Sequence, residues 1–86
     1  MDQEIRPELV AFAKVMESRL KENAHRGDWR TFNFYYLAAC LAANLGHMIR
    51  AYQADKSESI LKSAADTAHY AMMISDLCGS LTARKK

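Results

Sequence analysis

Asp66 shares a helical face with Ser63, Tyr70, Met73 and Leu77. A carboxylate among apolar neighbours is costly unless it is ion-paired, hydrogen-bonded or metal-bound. Asn44 and His47 stand three apart, beside an apolar helical stripe of their own. If the two stretches form a helix hairpin turning near Asp55 and Lys56, positions whose numbers sum to about 111 stand level across it. Asn44 then meets Asp66, and His47 meets Ser63 and Asp66. His69, three residues beyond Asp66, is expected to join them. An amide, a hydroxyl, imidazoles and one carboxylate are groups that hydrogen-bond an anion, fix helix register or ligate a transition metal. As a zinc or manganese site the set lacks an evident fourth ligand. As a satisfied buried polar cluster it needs no ligand at all.

A second concentration of chemistry is Asn23-Ala24-His25-Arg26-Gly27-Asp28-Trp29-Arg30, which holds the only tryptophan of the chain. Gly27 is a natural helix stopper, since glycine enters left-handed backbone without steric cost. Read alone, the segment is a helix end anchored by Trp29. It is also dense enough in cations, amide and aromatic surface to border a binding site. Trp29, Tyr35 or Tyr36 offers a surface on which a base stacks.

Three helical stretches must position these groups. The first runs from about Pro7 to about Glu22, with Pro7 in the first turn and Leu9, Phe12, Ala13, Met16 and Leu20 on one face; Lys14, Glu17, Arg19 and Lys21 fill the opposite surface. The second runs from Phe32 or Asn33 to Gln53, striped by Leu37, Leu41, Leu45, Met48 and Tyr52. A short polar break, Ala54 to Glu58 with Ser57 as N-cap, implies an antiparallel hairpin. The third stretch runs from Glu58 to Thr82 and is apolar on two faces, which asks for burial on both. The expected fold is all-α: three main helices with an antiparallel hairpin, one domain over residues 1–86, completed by a homodimer or higher oligomer.

Composition narrows the function classes. The chain has 86 residues, half of them hydrophobic, 26% charged, with one proline and three glycines; disorder and a turn-rich β fold are excluded. No apolar run reaches the roughly 20 residues that span a bilayer, and the opening residues do not read as a signal peptide. A cytoplasmic location with Cys40 and Cys78 as reduced, small core residues is the expectation. The net charge of +2 is exceeded by the Arg84-Lys85-Lys86 tail alone, a poor footing for nucleic-acid binding.

The sequence resembles the small MazG-like, all-α nucleotide pyrophosphohydrolases, in particular their short phage-type members. Arg6-Pro7-Glu8, Ala11-Phe12-Ala13 and Met16-Glu17 resemble the family's opening helix. Asn23, His25, Arg26, Gly27 and Trp29 match its Asn-Asp-His-Lys-Gly-Gly-Trp loop, with Ala24 and Asp28 departing. Tyr36-Leu37, Leu41, Leu45 and Gly46 follow its second helix, and Ala64-Ala65-Asp66, Ala68 and Ala71-Met72-Met73 its last.

The family's magnesium centre is a Glu-Glu-x-x-Glu motif on one helix and Glu-x-x-Asp on the next. Here the glutamate positions fall on Ala43, Asn44, His47 and Ser63; Asp66 alone remains, followed by His69 in place of asparagine. One carboxylate does not assemble a magnesium cluster, because hard cations take several oxygen ligands. The resemblance therefore implies a degenerate site that binds a nucleotide without a metal cofactor and without turnover. Its expected contacts are Asn23, His25, Arg26, Trp29, Tyr36, Asn44, His47, Asp66 and His69. A phage origin would make such a protein a sponge for a host-defence signalling nucleotide. A residual metal-dependent pyrophosphohydrolase and a module that inhibits a host protein are the alternatives.

Overall fold

A computed structural model describes residues 4–79. Three α-helices, α1 (Pro7–Glu22), α2 (Phe34–Gln53) and α3 (Ser57–Leu77), are joined by two 3₁₀ turns, Ala24–Arg26 and Trp29–Thr31. No strand occurs among the described residues, and none of their helices is long and apolar enough to cross a membrane.

The α2–α3 hairpin is the main body, and α1 packs across α3 without touching α2. The hairpin turn is a left-handed helix end. Asp55 takes φ 59°, its N–H donates to the Tyr52 carbonyl at 3.1 Å, and the Lys56 N–H donates to Ala51 at 3.0 Å. This pair of bonds closes the last carbonyls of α2. It holds Ser57 inside α3 as its first residue, so Lys56 occupies the cap position that the sequence assigns to Ser57. At the other end of α2, the Asn33 side chain accepts from the Tyr36 N–H at 2.8 Å, a standard N-cap bond. Helix α3 ends at Leu77, short of the expected Thr82, because Cys78 caps it and Gly79 turns to φ 80°; residues 80–86, with the basic tail, lie outside the described residues.

Leu37, Tyr70 and Met73 form the buried core, with Leu20, Trp29, Phe32 and Leu77 among the side chains packed on it. The inward face of α3 is the one carrying Ala65, Asp66, His69, Tyr70, Met73 and Asp76. The expected α2 stripe departs from the core along its length: Leu37 is fully buried, whereas Leu45 and Tyr52 are 44% and 75% exposed. The reason is geometric, because α1 covers α3 only and leaves that part of α2 without a neighbour. Helix α1 itself has no buried residue, and Leu9 is exposed. Cys40 is half-buried and packs against the core, as its size suggests, whereas Cys78 is exposed at the end of α3 and is not a core residue.

Candidate functional site

Two concavities meet on one side of the hairpin. An open polar cleft of about 470 Å³ is bordered by Asn44, His47, Ser63 and Asp66, with Ala43 beside them. The hairpin register expected from the turn position therefore holds. The cleft also has Arg19, Arg26 and Lys62 on its walls, three cations against the single carboxylate.

That carboxylate is not free. Arg19 grips Asp66 with both arms of its guanidinium, Nε to Oδ1 at 2.9 Å and Nη2 to Oδ2 at 2.7 Å. A bidentate charge-assisted pair is among the strongest side-chain contacts, and the Asp66 side chain is only 12% exposed. The hydrogen bond to Asp66 drives the Arg19 pKa further up from an already high value. The remaining guanidinium nitrogen, Nη1, donates to Glu22 at 2.6 Å. Arg19, read from sequence as a surface cation of α1, is thus the tie between α1 and α3. The signal was the unpaired demand of Asp66 itself: a buried acid requires a base, and Arg19 sits beside Leu20 at the half-buried end of α1.

The remaining cleft groups are held loosely enough to serve a ligand. The Asn44 amide donates to the Cys40 carbonyl at 2.9 Å, which leaves its oxygen uncommitted to that bond. His47 is exposed, with Nδ1 2.9 Å from an Arg50 guanidinium nitrogen.

The second concavity is an apolar cavity of about 310 Å³ between the end of α1, the 3₁₀ turns and α3. Trp29, Phe32, Tyr36 and Tyr70 form aromatic walls, and Asn23 and His69 contribute to its lining. Arg26 and Tyr70 border both spaces, and the Arg26 guanidinium donates to the Tyr70 hydroxyl at 3.2 Å. This bonded pair is the partition between cleft and cavity.

The loop that closes the cavity is fastened from below. Trp29 Nε1 donates to Asp76 Oδ2 at 3.0 Å, and the Arg30 guanidinium lies 4.7 Å from the Trp29 ring centre. Asp28 accepts from the Arg30 backbone at 3.0 Å and caps the second turn. Asp76, 6% exposed, is a residue that sequence reasoning missed, although its position three beyond Met73 places it on the inward face of α3. The Asn23 amide donates to the Arg19 carbonyl at 3.0 Å and finishes α1.

Three sequence expectations need correction. His69 does not join Asn44, His47, Ser63 and Asp66 in the cleft; it lines the cavity instead. Three residues turn a helix about 60° short of a full circle, enough to carry His69 to the α1 side of the hairpin. It adds no positive charge either: burial pushes its imidazole below the ordinary range, Asp66 opposes the shift, and Arg19 and Arg26 reinforce it. His25 is exposed and borders neither space, because a 3₁₀ turn rotates about 120° per residue and sends His25 away as Arg26 turns inward. Of the two tyrosines offered for stacking, Tyr36 lines the cavity; Tyr35, 80% exposed, does not.

Among the described residues no group of three or more His, Cys, Asp or Glu side chains is arranged to hold a metal ion. No protein-family model matches the sequence, and no curated protein or solved structure matches it.

Two outcomes follow from this geometry. Arg19→Ala strands a buried carboxylate and should cost about 2–3 kcal/mol in urea unfolding, while the apolar pair Arg19→Met with Asp66→Leu should unfold within about 1 kcal/mol of the parent; a single variant no worse than the double would contradict the pairing. His69 titrates lower folded than unfolded, so the unfolded chain binds the extra proton first. The stability contributed by neutral His69 is complete above the unfolded imidazole value of about 6.5 and is lost as pH falls below it. Stability measured at pH 5 and at pH 7.5 should therefore differ more in the parent than in His69→Phe.

Proposed function

We propose that this chain binds a nucleotide through its phosphates and holds it without hydrolysis, as a catalytically degenerate MazG-like protein of phage type. The observation that carries the reading is the charge of the cleft. Where the resemblance places a cluster of glutamates, Ala43, Asn44, His47 and Ser63 stand, and Arg19, Arg26 and Lys62 face the one carboxylate left. Four carboxylates without a metal repel a polyphosphate; Arg26 with a set of amide, hydroxyl and imidazole donors attracts one. Arg19 is paired with Asp66 and Glu22, and Lys62 with Glu58. Asp66 is already neutralised by Arg19, so it is a poor ligand for a hard cation, which takes several oxygens.

On this reading the protein acts in the cytoplasm of an infected host, where it lowers the free concentration of a signalling nucleotide of host defence. Stoichiometric binding suffices for that purpose and turnover is unnecessary. The reading includes self-association. Leu45, Ile49 and Tyr52 repeat at four- and three-residue steps along α2 and are 44%, 50% and 75% exposed, a helical apolar stripe of the kind that a second copy covers. A homodimer built on this stripe leaves the cleft, which lies on the α3-facing side of α2, open to ligand.

The test is an incubation of the purified protein with a nucleotide panel that includes cyclic dinucleotides and ADP-ribose derivatives, with chromatography of the filtrate before and after heat denaturation. The expected result is a nucleotide that leaves the filtrate and returns unchanged when the protein is denatured. Conversion to a monophosphate and pyrophosphate would overturn the reading in favour of residual enzyme activity. A panel left entirely in the filtrate would overturn it in favour of a protein partner.

A further inference from the structure

One residue that lines the cavity beside the cleft has a buried polar atom that the fold leaves unsatisfied. His69 is 2% exposed, and its Nδ1 is buried with no hydrogen-bond partner. An orphaned buried ring nitrogen forfeits a hydrogen bond that water would have supplied, and native structures rarely tolerate this without a reason. The rest of the lining is dominated by rings: Trp29, Phe32, Tyr36 and Tyr70. Their positions are secured by Asp76 under Trp29 at 3.0 Å, by Phe32 against Tyr36 at 4.8 Å between ring centres and by Tyr70 edge-on to His69 at 4.9 Å. An aromatic box whose wall also carries Asn23, Arg26, Asp28 and His69 is complementary to a flat heterocycle that carries donors and acceptors on its edge.

Size and position narrow the occupant further. About 310 Å³ stands at the lower end of the roughly 300–1,000 Å³ typical of small-molecule sites. That accommodates one two-ring base and part of its sugar, whereas a one-ring base would leave apolar wall without contacts. The cavity and the cleft lie on either side of Arg26 and Tyr70, which border both spaces. A ligand that spans the partition is flat and apolar at one end and anionic at the other.

Resting on the nucleotide-binding reading above, we propose that the Trp29–Tyr36–Tyr70 cavity is a purine subsite in which the His69 ring turns its buried Nδ1 to hydrogen-bond the base edge, while the phosphate lies across Arg26 in the cleft. The neutral imidazole presents Nδ1 as donor or acceptor by choice of tautomer. It therefore reads a ring nitrogen or an exocyclic amine with equal facility. The cavity is built from the residues of a single chain, so one base enters it per chain.

The only tryptophan of the chain is in the cavity wall, which makes its fluorescence a direct reporter of occupancy. The experiment titrates the intact protein with AMP, GMP, CMP, UMP and inorganic tripolyphosphate, following Trp29 emission and, in parallel, heat. Purine nucleotides should quench Trp29 and bind about tenfold more tightly than pyrimidine nucleotides; tripolyphosphate should bind with little quenching. His69→Phe and His69→Gln, each checked for native helix content, should differ: the Phe variant loses about tenfold in purine affinity and the Gln variant recovers part of it, as expected for one hydrogen bond to a buried site. Tripolyphosphate affinity should be the same in all three proteins. Nucleotide binding without purine preference and without response to His69→Phe would overturn the subsite and leave the cleft reading intact. Absence of binding by every nucleotide and by tripolyphosphate would overturn both.

Discussion

The pairing of Arg19 with Asp66 organises the molecule. A carboxylate on the inward face of α3 has no place in a helical core without a counter-charge, and the guanidinium that meets it comes from α1, 47 positions earlier in the chain. Because α1 lacks a buried residue and does not touch α2, its hold on the hairpin depends on this pair and on the apolar contacts near Leu20. Where α1 ends in turn decides where the 3₁₀ turns begin, and so where Arg26 and Trp29 fall. The same contact sets the charge of the cleft, since it neutralises the one acid on the wall and leaves Arg26 there, while Lys62 lies 3.7 Å from Glu58.

A division of labour between the two helices of the hairpin follows. Helix α2 supplies small residues and uncharged donors to the cleft, and α3 supplies the buried polar groups Asp66, His69 and Asp76. Each of these three has a different fate. Asp66 is paired by α1, Asp76 holds Trp29 in the loop, and the Nδ1 of His69 is left without a partner. Polar residues three and seven positions apart on one helical face thus do three distinct jobs: tie a helix, anchor a loop, and leave a buried unsatisfied atom beside a cavity. The Arg26–Tyr70 bond separates the last from the cleft at 3.2 Å, and a ligand that shifts Arg26 alters both spaces at once.

Much of the fold was legible in the sequence because it is set by local rules. Pro7, Asn33 and the break near Asp55 mark the helix limits, and the turn position alone places Asn44 and His47 opposite Ser63 and Asp66. What escaped were contacts between distant segments. Helical periodicity assigns Arg19 to a solvent face and does not register that a buried acid 47 residues away captures it. Asp76 lay on the inward face of α3, where Met73 and Leu77 drew attention as packing residues, and only the fold reveals its bond to Trp29. The stripe Leu37 to Tyr52 was correctly periodic, but periodicity states that a face is apolar and not what covers it. His69 illustrates a finer limit: a rotation of about 60° on the helix separates membership of the cleft from membership of the cavity.

The central claim is that this cleft attracts a nucleotide by its own cations, with no metal in between. Titration calorimetry of a tightly bound nucleotide, run once in EDTA and once in excess magnesium, addresses it directly. The account predicts binding in EDTA that is as tight as in magnesium or tighter, because the metal-free phosphates carry more negative charge to meet Arg26 and Lys62. Binding that appears only when magnesium is added, or heat that continues to evolve after saturation as the nucleotide is cleaved, would contradict it.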